Sequence, residues 1–296
     1  MLSGFVIALT SRERVRSFSG YRDFLVRRLA RIYPAYLAMH LVFALYVGSR
    51  VARGSPPLDR CSTDAASFVT HLLMIQAWTF PIGRAWNLVD WSVSAEWLVY
   101  LLFPAFAWVS RRREVWLVTA GAVLLFGGAL ADVGDSTNME LGLPRVLYGF
   151  VMGVAVHRLY VWRGAAGSGW GAIAVVVLAG AAYQASNPDA AFEPIAWAPL
   201  AFAGVVYALA RSSWPVPRAM LWLGHVSYAV YLSHSLTLML FEEAFGEPLG
   251  GAGLMYRLTY TAGQVVVVLA VGHLLYAGVE RPARPRVMAW LRRSRG

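Results

Sequence analysis

The chain has 296 residues, of which 58% are hydrophobic and only 14% are charged. Ordinary soluble domains carry about 25% charged residues, so apolar runs this numerous exclude a water-soluble globular domain. The formal charge is +10 and all 26 basic residues are arginine. They cluster between alternate apolar blocks, as in the cytoplasmic loops of membrane proteins, which excludes nucleic acid as the partner that this charge would otherwise suggest.

Met1 to Leu9 is apolar but too short to span a bilayer, and reads as the end of a helix whose beginning is missing. A basic segment follows, with Arg12, Arg14, Arg16, Arg22, Arg27, Arg28 and Arg31. Residues 33–47 are apolar and open on Pro34, which suits an early helical turn. Residues 48–64 turn to Gly, Ser, Pro and polar side chains, a loop. The apolar block 68–80 is short enough to be re-entrant, interfacial or a brief span. Its neighbour Cys61 is the lone cysteine, which excludes an internal disulfide framework and a CxxC metal site.

Beyond it the apolar blocks 92–109, 115–131, 144–161, 170–185, 195–210, 220–241 and 255–279 are each of spanning or near-spanning length. The arginine-rich loops at 12–31, 111–113, 158–163, 211–218 and 281–295 then fall on one side, and the acidic loops on the other, provided that 68–80 does not cross. The pattern predicts an all-α, polytopic transmembrane helical bundle. It has about nine helical segments, the first partial, in a single domain over 1–296 with a cytoplasmic C-terminus.

Within this apolar chain Trp91-Ser92-Val93-Ser94-Ala95-Glu96-Trp97 carries the candidate chemistry. A carboxylate in or at the edge of a membrane is costly and marks function, so Glu96 is the first candidate. Ser92 and Ser94 are candidate substrate contacts, though small polar residues near a helix start also serve as caps. Trp91 and Trp97 suit either an interfacial belt or a sugar-stacking platform. Arg145 opens an apolar helix on the acidic side, against the charge rule, and is a candidate partner for a carboxylate, an oxyanion or substrate.

Arg27 and Arg31 share a helix face, and with Arg28 they offer guanidinium forks for phosphates or lipid headgroups. His234 lies in mid-helix, where an imidazole could line a site. His71 is a weaker candidate, and His40, His157, His225 and His273 read as structural or interfacial. No HxxxH or HExxH spacing appears, so no metal is expected. The sequence has neither a GxSxG elbow nor a GxxxxGK[ST] loop.

Taken in order, these segments resemble the integral-membrane acyltransferase 3 family. Met1-Leu-Ser-Gly-Phe is similar to its "LSGF" helix, and Arg27-Arg-Leu-Ala-Arg-Ile-Tyr-Pro34 to its "RRxxRIxP" entry. Trp91 to Glu96, Tyr100 and Phe103-Pro104 resemble its "WSLSxE…Y…FP" signature. Pro144-Arg145 resembles its Arg-bearing helix, Leu223 to His234 its "LGxxSYxxYLxH" helix, and Glu280-Arg-Pro282 its closing "ERP". The family's first helix, with an Arg at the membrane border and a later His regarded as essential, would precede "LSGF" and is absent here. The resemblance implies transfer of an acetyl or other short acyl group from acyl-CoA to a carbohydrate hydroxyl, with no bound cofactor.

It implies Glu96, Arg145 and His234 as the catalytic group and Trp91, Ser92, Ser94 and Tyr100 around the acceptor. The donor would lie near Arg27, Arg28 and Arg31, and the base on the missing helix. The expected partners are acyl-CoA, the carbohydrate acceptor and membrane lipids, with the protein in the cell membrane. Two other readings of the residues stay open: a transporter or flippase of a glycan or lipid intermediate, in which buried charges mark a path, and an inactive truncated homologue.

Overall fold

The structure, a computed structural model, describes residues 1–54, 64–78, 86–109, 119, 121, 142–163, 194–213, 215–246 and 253–293. All regular elements among them are helical. They are α1 (Leu2–Ser11), α2 (Phe18–Ala52), α3 (Ala65–Leu72), α4 (Trp91–Val109), α5 (Gly142–Arg163), α6 (Pro194–Arg211), α7 (Arg218–Phe245), α8 (Leu254–Leu275) and α9 (Arg281–Arg293), with a π-helical turn at Tyr276–Glu280. The spans expected at 115–131 and 170–185, and Cys61, lie outside the described residues but for positions 119 and 121.

The expected apolar blocks at 92–109, 144–161, 195–210 and 220–241 fall within α4 to α7, and 255–279 runs over α8 into the π turn. Among the described residues two stretches, Phe18–Ala52 and Leu254–Trp290, are long and apolar enough to cross a membrane. The first is far longer than residues 33–47, because the basic segment before Pro34 is helical too. Helix α3, which enters block 68–80, has only 8 residues, about 12 Å of rise against a bilayer core of about 30 Å, so by itself it is too short to cross.

Two tyrosines of α2 explain how α3 can stop inside the protein. A helix end leaves carbonyls without partners. Here Tyr36 donates to His71 O at 2.7 Å and Tyr33 donates to Leu72 O at 3.1 Å. Met74 then reverses the chain at φ 54°, a left-handed backbone that non-glycine residues seldom adopt.

The described residues form two compact units. The first contains α1, most of α4, α5 and α6. Small residues let α1 and α5 touch backbone to backbone: a Cβ added at Gly4 would sit 2.3 Å from Phe150 O, and one at Gly153 would sit 2.1 Å from Met1 O. Phe5 fills the same contact, edge-on to His157 and Tyr160 at 6.0 and 5.9 Å between ring centroids. The second unit contains most of α2, α3, the first turn of α4, and α7 to α9. There Gly272 of α8 lies on Val230 of α7, with no room for a methyl group.

Candidate active site

In the first unit Glu96, on the second turn of α4, is held by two hydroxyls. Ser3 of α1 donates to its Oε1 at 2.6 Å, and Tyr100, one turn further along α4, donates to the same oxygen at 2.5 Å. Tyr100 reaches Glu96 because residues four apart share a helix face. Its ring is buried against Phe24, and Tyr21 anchors the same stretch by donating to Leu101 O at 2.8 Å. The carboxylate is part-buried, and both hydrogen bonds fall on the same oxygen, Oε1. Among the described residues no salt bridge reaches it.

Arg145 lies in the same unit, in the first turn of α5, neither buried nor exposed. His234 belongs to the second unit, where its Nδ1 lies 2.7 Å from Tyr231 O. Arg27 is exposed, and Arg28 and Arg31 are partly covered, all on α2 in that same unit. The serines have structural partners. Ser94 is fully buried, donates to Met74 O at 2.8 Å and accepts from Ala77 N at 3.1 Å. Trp78 then donates to Ser94 O, so this serine fastens the reversal after α3 to the start of α4. Ser92 shares a 2.6 Å hydrogen bond with Tyr231 Oη, which also donates to Val89 O. Trp91, the first residue of α4, is partly covered.

The second unit holds a buried polar cluster that sequence reasoning missed. Asp90 is fully buried; its Oδ1 accepts from Asn87 Nδ2 at 2.8 Å, and Asn87 also donates to Leu232 O at 3.0 Å. Gln76 donates to Tyr36 Oη and to Asp90 O. His40, also fully buried, stacks on His71 at 5.6 Å and meets Trp86 edge-on. Burial pushes the Asp90 carboxyl well above the usual carboxylate range. Asp90 stands one residue before the tryptophan of the motif, which is the only hint that the sequence offers. His40 and His71 sit at unrelated positions, and only the fold stacks them. Among the described residues no three His, Cys, Asp or Glu side chains gather in a way that could hold a metal ion.

An all-helical chain with spanning-length apolar stretches and a carboxylate gripped by hydroxyls fits a membrane-type acyl-transfer domain. The acyltransferase domain family (acyltransferase 3) matches residues 1–276, and the chain belongs to that family. It is also 28% identical to the acyltransferase MdmB of Streptomyces mycarofaciens, over 95% of this chain and 78% of that protein. No solved structure matches. The chain is an acyltransferase.

Proposed function

We propose that this acyltransferase is a multi-pass protein of the cell membrane. It moves an acetyl or other short acyl group from acyl-CoA to a carbohydrate hydroxyl and acts as one domain over its length. The observation that carries the reading is the Glu96 carboxylate held by Ser3 and Tyr100. In acyl transfer an acceptor oxygen attacks the thioester carbonyl, the C–S bond breaks, and the hydroxyl proton ends on the thiol. A fixed carboxylate can orient that hydroxyl or take its proton as the new bond forms.

In this reading Arg145 neutralises the developing oxyanion, and Trp91, Ser92, Ser94, Tyr100 and His234 belong to the acceptor side. The two serines act there by holding α4 in place. Arg27, Arg28 and Arg31 receive the donor's phosphates, for which planar guanidinium groups are well shaped. The membrane placement is supported by Leu254–Trp290, whose most apolar window is only 6% buried by protein, so lipid is its natural cover. Arginine-rich helix ends would then face the cytoplasm, as would the C-terminus.

The test is incubation of membranes bearing the protein with acyl-CoA labelled in the acyl group and with surface glycan. Label in alkali-labile ester on the carbohydrate is expected. Thioester that stays intact with every acceptor offered, while glycan or lipid crosses the bilayer, would replace the reading by transport.

A further inference from the structure

Helix α8 by itself is matched to a bilayer. Its 22 residues rise about 33 Å against a hydrocarbon core of about 30 Å, so a chain that spans with α8 leaves the lipid close to Leu275. The π turn Tyr276–Glu280 comes next, and then α9, Arg-Pro-Ala-Arg-Pro-Arg-Val-Met-Ala-Trp-Leu-Arg-Arg, with five arginines and no acidic residue. Continued straight, this stretch would carry Trp290 about 20 Å out into water. A π turn and prolines are the features at which helices change direction, and Pro282 and Pro285 each give up a hydrogen bond and crowd the carbonyl four residues earlier.

The side chains of α9 divide by exposure. Val287 and Met288 are partly covered, whereas Arg281, Arg284, Arg286, Ala289, Trp290 and Arg293 are exposed, Trp290 at 67%. Arg286, Trp290 and Arg293 stand at i, i+4 and i+7, so they form one stripe with the indole between two guanidinium groups. Among the described residues no carboxylate pairs with Arg286 or Arg293. The buried Glu280 at the foot of α9 answers Arg31 and Arg284 and leaves the stripe's charge uncompensated.

An exposed indole settles at the level of lipid headgroups, where its ring meets the acyl boundary and its N–H stays among polar groups. Guanidinium forks match phosphate oxygens. A zwitterionic headgroup brings its own cation beside the phosphate, whereas an anionic one leaves a net negative charge for the arginines. An acidic protein would suit the arginines as well, but the apolar ring between them suits an interface with carbon beneath it, and α8 ends at such an interface. We infer that α9 lies along the membrane surface and that its Arg286–Trp290–Arg293 stripe binds the headgroups of anionic phospholipids. The inference rests on the membrane placement proposed above and adds to it a lipid class and a site.

The test uses the full chain in nanodiscs of phosphatidylcholine, alone or mixed with phosphatidylglycerol. In a Cys61→Ser background, spin labels are attached through Ala289→Cys, beside the stripe, and separately through Val266→Cys, on the exposed side of α8. Accessibility to a water-soluble nickel chelate, read against accessibility to oxygen, gives the depth of each label. The label at 289 is expected at headgroup level in the mixed discs, and in water in phosphatidylcholine alone or at high salt. An arginine near an anionic surface is worth about fivefold in the ratio of surface-bound to water-facing helix, so Arg286→Gln with Arg293→Gln is expected to lower that ratio by about twenty-five-fold. A label at 289 that stays in water in both discs, sits equally deep in both, or keeps its depth in the double variant overturns the inference. The membrane placement then stands on the label at 266, which is expected among the acyl chains in either disc. If the label at 266 lies in water, the membrane placement falls and takes this inference with it.

Discussion

Ser3 donates its hydroxyl to the Glu96 carboxylate at 2.6 Å across 93 positions of sequence. The contact joins a residue of the first helix to the acidic residue of the tryptophan-flanked motif. It places α1 in the candidate site, beyond its packing on α5.

Glu96→Gln keeps the shape of the side chain and leaves Ser3 and Tyr100 an amide oxygen to bond. If the carboxylate orients or deprotonates the acceptor, transfer falls by about a hundredfold or more, with thermal unfolding little changed. Rates with labelled acyl-CoA in membranes containing equal amounts of folded protein check this. Full activity in this variant would remove Glu96 from the site.

Ser3→Ala and Tyr100→Phe each delete one hydrogen bond to the same oxygen. Each is expected to slow transfer by about fivefold, the worth of a single hydrogen bond of about 1 kcal/mol. The double variant should depart from the product of the single effects, because both donors position one group. A double-mutant cycle on the transfer rate decides it, and strict multiplication would mean that the two hydroxyls act independently.

Gly4→Ala and Gly272→Ala place a methyl group against backbone that cannot yield, 2.3 Å from Phe150 O in one case and 2.8 Å from Val230 Cα in the other. Each is expected to lower stability by about 1–3 kcal/mol, the usual cost of overpacking. Gly48→Ala, within α2 with nothing inside 4 Å of the added carbon, should instead gain a few tenths to about 1 kcal/mol from helix propensity. Thermal unfolding in detergent should rank the three in that order.

Asp90 gives a pH dependence whose sign follows from its raised carboxyl. The unfolded chain loses this proton at an ordinary carboxylate pH, whereas the native state holds it to higher pH. Native stability from this group is therefore complete below the ordinary carboxylate value and declines as pH rises towards the raised one. Asp90→Asn cannot titrate, so its stability relative to the parent should improve between pH 5 and pH 8. Unfolding temperatures of both proteins across that range are the measurement, and a constant difference would mean that Asp90 is ionised in the fold.

What the sequence determined alone was the helical class, most of the helix positions and the prominence of Glu96. These are properties of consecutive residues: a run of apolar side chains has a length, and a lone carboxylate among them stands out whatever the packing. Block 68–80 shows where that kind of reasoning stops. Its composition suits a re-entrant, an interfacial or a crossing segment, and only the fold shows α3 ending after eight residues, where Tyr33 and Tyr36 donate to the carbonyls of Leu72 and His71.

The same limit applies at the motif. Ser92 and Ser94 look alike in sequence, yet the fold seals Ser94 between Met74 and Ala77 and leaves Ser92 on Tyr231. The partnership of Ser3 with Glu96 and the burial of Asp90 depend on which helix faces meet and how closely. Glycines such as Gly4 and Gly272 permit that close approach. Local composition carries no record of it, because a hydrogen bond between distant residues exists only once two helices have been brought within its short range.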